Sequence, residues 1–395
     1  MADICGIIAE YNPFHNGHLH QLRWAKKITG ANAAVVALSG NFVQRGEAAL
    51  IDKFRRTEAA LHCGADMVLE LPVPYATASA EAFALGGCRL LAATGMVDAL
   101  CFGSESGDIA PLHRLATLLC NENADFKRIL RQKLASGASF PAARAYALGA
   151  ICPAATHIIS SPNNILGIEY LKAIIKESLP LVPATSLRYG ADHHATDFLQ
   201  DSASASSIRK HVRGGGSLDA LAPLMPAQSL DILRQEHDLS AINHIDNFSP
   251  FFHFALQRGT YGTSEGLQNR ITAAARDHYL ISHIIAAAKC KNHTRTAIQR
   301  AILHIILDIS RQNHYAPIPY IRVLGFRRSR RDLLHKLHKT ANLPVITNLK
   351  HTANLPAAAK TLLDMELAAT KIYWLAMRPH GVAAINELAT PMVIV

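Results

Sequence analysis

Two histidines three residues apart, His15 and His18, follow an apolar run near the start of the chain. Residues 6–9 (GIIA) predict a buried strand, residues 12–14 predict a proline-containing turn, and residues 19–28 predict a helix. The two imidazoles would then share one side of the first helical turn. A strand, a tight turn and a helix start with polar side chains are typical of a phosphate-binding site.

The chemistry that suits this turn is displacement at a nucleotide phosphate. The first N–H groups of a helix lack partners within the helix and lie at the positive end of its dipole, so they bind phosphate oxygens. Gly17 has no Cβ, which lets a nucleotide approach the backbone, and both histidines can donate to an α-phosphate as its charge grows. The alternative is that one histidine caps the helix and the other packs on the sheet. The pattern HxGH directly after a strand favours the nucleotide site.

A second segment with phosphate-binding residue types lies much later in the chain. Residues 202–210 (SASASSIRK) predict a serine-capped helix start with Arg209 in its first turn. The hydroxyls of Ser206 and Ser207, free N–H groups and a guanidinium would form a cradle for the β- and γ-phosphates or for pyrophosphate. By itself this segment indicates only a helix cap, but together with HxGH it predicts a nucleotide site.

Polar loops after other predicted strands are further candidates. Arg45, in the loop 39–47, suits a phosphate or a carboxylate, although an exposed turn is equally compatible. Gly103 would let an adenosine lie close to the backbone, or would simply make a turn. One residue of the pair Asn163 and Asn164 would cap a helix while the other contacts ligand. Arg188 follows the last predicted strand and suits a phosphate or a ribose edge.

The elements that position these loops alternate between strand and helix in the first half of the chain. Predicted strands are 4–9, 33–38, 67–71, 99–102, 157–160 and 180–183, and predicted helices are 19–28, 53–63, 79–94, 109–121, 140–149 and 165–177. This alternation predicts an α/β fold with a doubly wound parallel sheet, in which ligands bind at the carboxyl ends of the strands.

A glycine-rich patch at 214–216 predicts a domain boundary. Beyond it the strand patterns fade, and residues 218–236, 271–289, 294–312, 329–337 and 357–377 predict helices. We therefore expect a nucleotide-binding α/β domain at 1–213 and a basic α-helical domain at 217–395.

Composition narrows the class of protein. With 395 residues, 49% hydrophobic and 18% charged, the chain predicts two or three globular domains and no long disordered segment. No apolar run is long enough to cross a membrane, and Asp3 and Glu10 interrupt any candidate signal peptide. Seven scattered cysteines without CxxC pairs, and no HExxH pattern, predict a cytoplasmic protein without a protein-held metal.

The net charge of +10 indicates a polyanionic partner, and one segment concentrates that charge. The candidate nucleic-acid-binding residues are Arg322, Arg327, Arg328, Arg330 and Arg331, with Tyr320 and Phe326 as stacking groups. The alternative is a solvated helix face.

Six sequence blocks resemble one family. They are GIIAEYNPFHNGHLHQL, SGNFVQRGEAALIDKFRR, LELPVPYATASAEAFALGG, SPNNILGIEYL, SASSIRK and YIRVLGF. Together they are similar, over nearly the whole chain, to the tRNA(Met) cytidine acetate ligase family of the HxGH nucleotidylyltransferase superfamily. The resemblance implies a nucleotidylyltransferase-type fold and an enzyme that makes acetyl-adenylate and pyrophosphate from acetate and ATP. It further implies acetylation of the wobble cytidine of elongator tRNA(Met), giving N4-acetylcytidine.

The resemblance also implies roles for individual residues. His15 and His18 would stabilise the α-phosphate transition state, and Arg209 would steady the leaving pyrophosphate. The implied ATP-binding residues are Ile7, Ile8, Ala9, Glu10, Tyr11, Asn12, Pro13, Phe14, His15, Asn16, Gly17, His18, Leu19, His20, Gly103, Asn163, Asn164, Arg188, Ser206 and Ser207. Mg²⁺ would accompany ATP without a dedicated protein cage. The basic helical half would bind the tRNA backbone, acetate would need a cation such as Arg45 or an amide donor, and no protein partner is predicted.

Two other functions stay open from the sequence. An adenylyltransferase that makes a dinucleotide-type cofactor shares HxGH but needs no basic helical half. A non-catalytic RNA-binding module would keep the nucleotide fold as a scaffold, yet the intact HNGH and SASSIR segments argue against it. Pyrophosphate exchange that requires acetate would separate the ligase from the adenylyltransferase, whose exchange would require a phosphorylated vitamin precursor.

Overall fold

A sheet of eight strands organises the computed structural model, which describes residues 2–153, 157–159, 161–188, 204–259, 264–377 and 386–395. Its strands are β1 (Ile4–Ala9), β2 (Ala33–Ser39), β5 (Met67–Leu71), β6 (Ala99–Ser104), β7 (Val182–Leu187), β8 (Ile321–Phe326), β9 (Val345–Ile346) and β10 (Val393–Ile394). Their order is β10-β8-β5-β2-β1-β6-β7, with β9 beside β8. A separate antiparallel hairpin joins β3 (Phe42–Val43) to β4 (Glu47–Ala48). Within the sheet all neighbours pair in parallel except β5 and β8.

The central strands are apolar on both faces. In β2, one core cluster receives Ala34, Val36 and Leu38, and the other receives Ala33, Val35 and Ala37. All six are fully buried. Alternation between two buried faces is what a parallel sheet covered by helices requires. The core therefore lies in two layers, one on each side of the sheet.

Helices cover both faces and build most of the second half. They are α1 (Asn16–Thr29), α2 (Lys53–His62), α3 (Val73–Ala76), α4 (Ala80–Ala93), α5 (Ile109–Cys120), α6 (Ala124–Ala135), α7 (Phe140–Ile151), α8 (Pro162–Glu177), α9 (Ala205–Arg213), α10 (Ala227–Asp238), α11 (Ser249–Arg258), α12 (Glu265–Asp277), α13 (Ile281–Ala288), α14 (Arg295–Leu307), α15 (Arg331–Thr340) and α16 (Ala357–Met377). Several begin at a capping side chain, as in α2, where Asp52 accepts the Arg55 N–H. Among the described residues, no helix has the length and apolarity needed to cross a membrane.

The predicted α/β alternation of the first half is confirmed, and β1 and β5 have the predicted bounds. One predicted strand is wrong, since residues 157–159 form a turn; Ser160 lies outside the described residues. Short apolar runs occur both in strands and in buried turns, so the apolar pattern alone did not distinguish a turn from a strand here. Helix α6 was not predicted, although Asn123 caps it by accepting the Phe126 N–H at 2.8 Å.

The second half is largely helical, as expected, but it also returns to the sheet. Strand β8 pairs antiparallel with β5, and β9 and β10 pair in parallel with the first and the last residues of β8. No strand was predicted in this half. One core layer likewise contains residues from both sides of the expected boundary at 214–216. The sheet and its core therefore cross that boundary.

Strand β8 carries a charged residue into the core. Arg322 is 4% exposed, and its Nη1 lies 2.8 Å from Glu70 Oε2 and 2.7 Å from Glu387 Oε1. Buried charges are tolerated when they are paired in this way. The expectation that Arg322 binds RNA is therefore wrong. The rings of Tyr320 and Phe326 are buried as well, which removes them as stacking groups.

Lys53 of α2 joins the same cluster, together with a third carboxyl group. Its Nζ lies 2.5 Å from Glu70 Oε1, 2.5 Å from Glu387 Oε1 and 3.8 Å from Glu366 Oε1. Burial, followed by the charge of Glu70, raises the pKa of Glu366 well above its usual range. With Glu366 protonated, two carboxylates face the two cations Lys53 and Arg322, and the cluster is neutral. It ties α2, β5, β8, α16 and the C-terminal segment together.

Glu366→Gln is expected to change the free energy of unfolding by less than about 1 kcal/mol, because an amide reproduces the neutral carboxyl and still accepts the Val73 N–H. Lys53→Met should cost about 3–5 kcal/mol, since it leaves buried carboxylates without their cation. Urea unfolding followed by circular dichroism measures both. Equal destabilisation by the two substitutions would contradict a neutral Glu366.

Candidate active site

A cavity of about 300 Å³ opens at the carboxyl ends of β1, β6 and β7. The strand order reverses at β1, since β2 and β5 lie on one side of it and β6 and β7 on the other. Doubly wound sheets bind ligands at such a switch point. The wall from α1 and α9 is polar and includes His15, His18 and Arg209, whereas the wall from α4 and α8 includes Phe83 and Tyr170.

The turn between β1 and α1 is fixed by burial. Tyr11 and Phe14 are each 1% exposed, and their rings meet edge to face with centroids 4.7 Å apart. Tyr11 has φ +45°, a conformation that a non-glycine residue holds only when its surroundings enforce it. Asn12 Oδ1 accepts the Leu50 N–H at 2.7 Å, and the Phe14 carbonyl accepts the Ser229 hydroxyl at 2.8 Å. The helix that follows therefore starts from a rigid support.

The side chains of His15 and His18 together cap the start of α1. His15 Nδ1 accepts the Gly17 N–H at 3.0 Å, and His18 Nδ1 accepts the His15 N–H at 3.3 Å. The two ring centroids are 3.8 Å apart. This is the reciprocal geometry of a capping box, made here with two imidazoles.

These caps fix the proton on each ring. A nitrogen that accepts a hydrogen bond carries no proton, so each neutral imidazole is protonated on Nε2. Burial, with the charges of Arg188 and Arg209, lowers the pKa of His15 to about 3. Burial, His15 and Arg188 lower the pKa of His18 well below its usual range. Both rings line the cavity, and neither Nε2–H has a partner in the described part of the chain. Two neutral donors are therefore available to a ligand.

The N–H groups at the start of α1 are already used, in contrast to the expectation that they bind phosphate. Gly17 N–H bonds the His15 ring, Asn16 N–H donates to the Leu224 carbonyl at 3.0 Å, and the N–H groups of His18 and Leu19 donate to the His15 carbonyl at 2.9 and 3.1 Å. A phosphate at this helix end would meet the imidazole Nε2–H groups and the helix dipole instead of free amides.

Helix α9 begins beside the same turn and supplies the free amides that α1 lacks. Ser204 Oγ accepts the Ser207 N–H at 3.1 Å, which caps the helix. The N–H groups of Ala205 and Ser206, both cavity-lining residues, have no partner among the described residues. Arg209 Nη1 donates to the Asn12 carbonyl at 2.8 Å, which holds the guanidinium against the turn. Two free N–H groups beside a guanidinium suit a polyphosphate.

Glu105 organises the side of the cavity formed by β6, β7 and α8. Its carboxylate accepts the Asn163 N–H at 3.2 Å, the Asn163 amide at 2.6 Å and the Asn164 N–H at 2.8 Å. Asn163 Oδ1 accepts a hydrogen bond from Arg188 Nη1 at 2.9 Å. Gly103 leaves room for this arginine, because a Cβ there would lie 3.0 Å from Arg188 Cγ. Arg188 is thereby held at the cavity wall.

The β3–β4 hairpin covers the side of the cavity that faces β2. Gln44 N–H donates to Glu10 Oε1 at 3.0 Å, which joins the hairpin to the end of β1. Gly46 turns the hairpin with φ +75° and lies against the backbone of Arg300 in α14. Arg45, at the tip, lines the cavity mouth and is exposed, and it pairs with none of the described residues.

About half of the residues predicted to bind ATP are on the wall of this cavity. They are Ile8, Ala9, Glu10, His15, Gly17, His18, His20, Gly103, Asn163, Arg188 and Ser206. The others, which do not line it, are Ile7, Tyr11, Asn12, Pro13, Phe14, Asn16, Leu19, Asn164 and Ser207. Within this second group, Tyr11, Asn12 and Phe14 support the turn, and Ser207 belongs to the α9 cap.

The surface arginines predicted to bind tRNA lie at the opposite edge of the sheet from the cavity, the edge formed by the amino ends of strands such as β2 and β5. They are Arg327, Arg328, Arg330 and Arg331. Because β8 runs antiparallel to β5, it ends where β5 begins, at Met67. Arg330 Nη1 donates to the carbonyl of Asn32, just before β2, at 2.7 Å. A strand of seven residues such as β2 separates the two edges by about 20 Å.

Arg56 is a positioning residue that sequence reasoning missed. It is fully buried and donates to the carbonyls of Ile51 at 3.1 Å, Glu10 at 2.6 Å and Ser39 at 3.0 Å. It thereby joins the carboxyl ends of β1 and β2 beneath the cavity. The signal in the sequence is its place at the end of the block SGNFVQRGEAALIDKFRR.

Relatives match this chain along nearly its whole length. The family model described as HIGH Nucleotidyl Transferase matches residues 2–385. The tRNA(Met) cytidine acetate ligase of Acetivibrio thermocellus is 37% identical over 390 residues, which cover 94% of this chain and 94% of that protein. The ligase of the same name from Thermoanaerobacter sp. (strain X514) is 36% identical over 393 residues, which cover 97% and 98%.

Solved structures agree with these matches. The crystal structure of Thermotoga maritima TmcAL bound with alpha-thio ATP has a TM-score of 0.90 and 30% identity, and the match covers 100% of this chain and 99% of that one. The apo structure of the same protein has a TM-score of 0.92 and 31% identity, with the same coverage. This chain therefore belongs to the HIGH nucleotidyl transferases and, within them, to the tRNA(Met) cytidine acetate ligase family.

Proposed function

We propose that this protein is an ATP-dependent ligase that makes acetyl-adenylate and pyrophosphate from acetate and ATP, and then acetylates the wobble cytidine of elongator tRNA(Met). The observation that carries the proposal is the pair of neutral imidazole donors, His15 and His18, in one cavity with Arg209 and the start of α9. Family membership supports the choice of substrates, because the curated relatives at 36–37% identity are tRNA(Met) cytidine acetate ligases.

The first step is attack of an acetate oxygen on the α-phosphorus of ATP. A bond from the carboxylate oxygen to phosphorus forms while the bond to pyrophosphate breaks. Negative charge grows on the non-bridging α-oxygens, where the Nε2–H groups of His15 and His18 donate. The pyrophosphate leaves towards the free N–H groups of α9 and Arg209. Positioning and charge stabilisation supply the catalysis, so no covalent enzyme intermediate is needed.

ATP binding is supported by the related Thermotoga maritima structure, which is bound with alpha-thio ATP. The adenosine would lie towards Gly103, Asn163 and Arg188. Mg²⁺ would be bound by the phosphates of ATP, because the described residues contain no group of three or more metal-binding side chains. A cation held mainly by phosphates and water is the usual form of Mg²⁺ in such sites.

The second substrate is a macromolecule, so one cytidine must leave its stack and enter the cavity mouth. The exposed guanidinium of Arg45 at this mouth suits the adjoining phosphates. The arginines at the far edge of the sheet would contact another part of the same RNA, since an RNA stem extends well beyond the strand length of about 20 Å.

All seven cysteines are free, which suits the reducing cytoplasm where we propose that the enzyme works.

Exchange of labelled pyrophosphate into ATP tests the first step, and nucleoside analysis of total tRNA incubated with ATP and labelled acetate tests the second. We expect acetate-dependent exchange and N4-acetylcytidine with the wild type. His18→Ala should lower the exchange rate by about 10²–10³-fold, the usual cost of removing one transition-state donor. Undiminished exchange in this variant would refute the role of the imidazole. Exchange that needs a phosphorylated acceptor instead of acetate would indicate a cofactor-forming adenylyltransferase.

Gly17→Ala tests the imidazole cap without removing a donor. A Cβ at this position would lie 2.8 Å from His15 Cε1, so the ring must move. A displacement of about 1 Å can cost about 10²-fold in rate, and we expect a loss of that order in acetate-dependent exchange. Gly266→Ala in α12 is the matched control, since a Cβ there meets nothing within 4 Å. Equal exchange rates in the two variants would show that the cap does not position His15.

Alanine replacement of the four surface arginines at 327, 328, 330 and 331 tests RNA contact at the far edge. We expect weaker tRNA binding and a shallower salt dependence, because each lost phosphate contact lowers the slope of log K against log salt by about 1. Acetate-dependent exchange should stay at the wild-type rate, because it takes place at the other edge of the sheet. Unchanged tRNA affinity would mean that this cluster is an ordinary solvated surface.

A further inference from the structure

Glu10 is the one acidic residue on the described wall of the cavity. The other charged groups there are the guanidinium groups of Arg45, Arg188 and Arg209. ATP and acetate are both anions, so a carboxylate in the same cavity repels them. A carboxylate in this cavity is suited instead to a ligand group that donates hydrogen bonds.

The geometry leaves one oxygen of this carboxylate free. Oε1 accepts the Gln44 N–H at 3.0 Å, whereas Oε2 makes no hydrogen bond or ion pair with any residue that the structure describes. The side chain is half-buried. Its charge also reaches the opposite wall: burial raises the pKa of Tyr170 well above its usual range, and the charges of Cys88 and Glu10 raise it further. The free oxygen is therefore available to a ligand in the cavity.

Although the family resemblance implies that Glu10 is one of the ATP-binding residues, it lies on the side of the cavity away from the groups assigned to adenosine. The groups assigned to adenosine, Gly103, Asn163 and Arg188, belong to β6, α8 and the end of β7, on one side of β1. Glu10 is bound to the hairpin at Gln44, which follows β2 on the other side of β1. The acetyl group and its acceptor would approach from this side.

We propose that Glu10 binds the exocyclic amine of the acceptor cytidine and takes the proton that this nitrogen loses when it is acetylated. The inference rests on the proposed function and adds a catalytic residue to its second step. Cytosine presents N4–H as a hydrogen-bond donor, and Glu and Asp are the side chains that accept it. The nitrogen is a weak nucleophile, because its lone pair is delocalised into the ring, so a base at N4–H assists its attack.

The step balances with these reactants alone. N4 forms a bond to the carbonyl carbon of acetyl-adenylate, and the bond from that carbon to the oxygen of AMP breaks. AMP leaves with the electron pair of the broken bond. One N4 proton passes to Oε2 of Glu10, which then returns it to water.

Glu10→Gln removes the base and keeps an oxygen that can accept the Gln44 N–H. We expect exchange within about threefold of the wild-type rate and acetyl transfer to tRNA slower by about 10²–10⁴-fold, the usual contribution of a general base. Glu10→Asp retains a carboxylate and should recover part of the transfer rate. Glu265→Gln removes an exposed carboxylate at the start of α12 and should leave both rates unchanged.

Two results would overturn the assignment. Parallel loss of exchange and transfer in Glu10→Gln would place the carboxylate in ATP activation, for example as a ligand of the phosphate-bound cation. Transfer at the wild-type rate would exclude it as the base. Single-turnover transfer from pre-formed acetyl-adenylate isolates the second step for both comparisons. The wild type tests the proposed function itself. If it shows no acetate-dependent exchange or forms no N4-acetylcytidine, the proposed function is wrong, whatever the variants do.

Discussion

The reciprocal cap between His15 and His18 is the interaction on which the site depends. Each Nδ1 accepts a backbone N–H, which turns both rings into neutral Nε2–H donors and uses up amides that would otherwise bind phosphate. Gly17 is needed because its missing Cβ leaves space for the His15 ring. Arg209 is bound to the same turn through the Asn12 carbonyl. A displacement of this one turn would therefore move both imidazoles and the guanidinium of Arg209 together.

The helical half supports that turn through two hydrogen bonds. Asn16 Nδ2 donates to the Pro223 carbonyl at 2.9 Å, and the hydroxyl of Ser229 in α10 donates to the Phe14 carbonyl at 2.8 Å. Near the other end of the chain, Arg322 and Glu387 join the buried charge cluster on Glu70 of β5. The second half thus both supports the turn beside the cavity and extends the sheet, which explains why family-like sequence blocks continue as far as β8.

Local patterns in the sequence predicted what local physics determines. The buried strands β1 and β5, helix α16 and the turn with HNGH follow from apolar periodicity and from residue types within a few positions of one another. Contacts between distant residues were not predictable in this way. The charge of Arg322 indicated a nucleic-acid-binding or solvated surface, but Glu70 lies 252 positions away and pairs with it in the core. The free amides expected at α1 are likewise occupied by the side chain of His15 and by the carbonyl of Leu224.

Nitrogen-15 NMR of the His15 and His18 rings tests the central claim most directly. We predict that both imidazoles are neutral and protonated on Nε2, and that neither titrates between about pH 5 and about pH 8, since burial keeps the pKa of His15 at about 3 and that of His18 well below its usual range. Alanine variants of each histidine assign the signals. A ring that titrates near the ordinary histidine pKa of about 6.5, or one that carries its proton on Nδ1, would contradict the account.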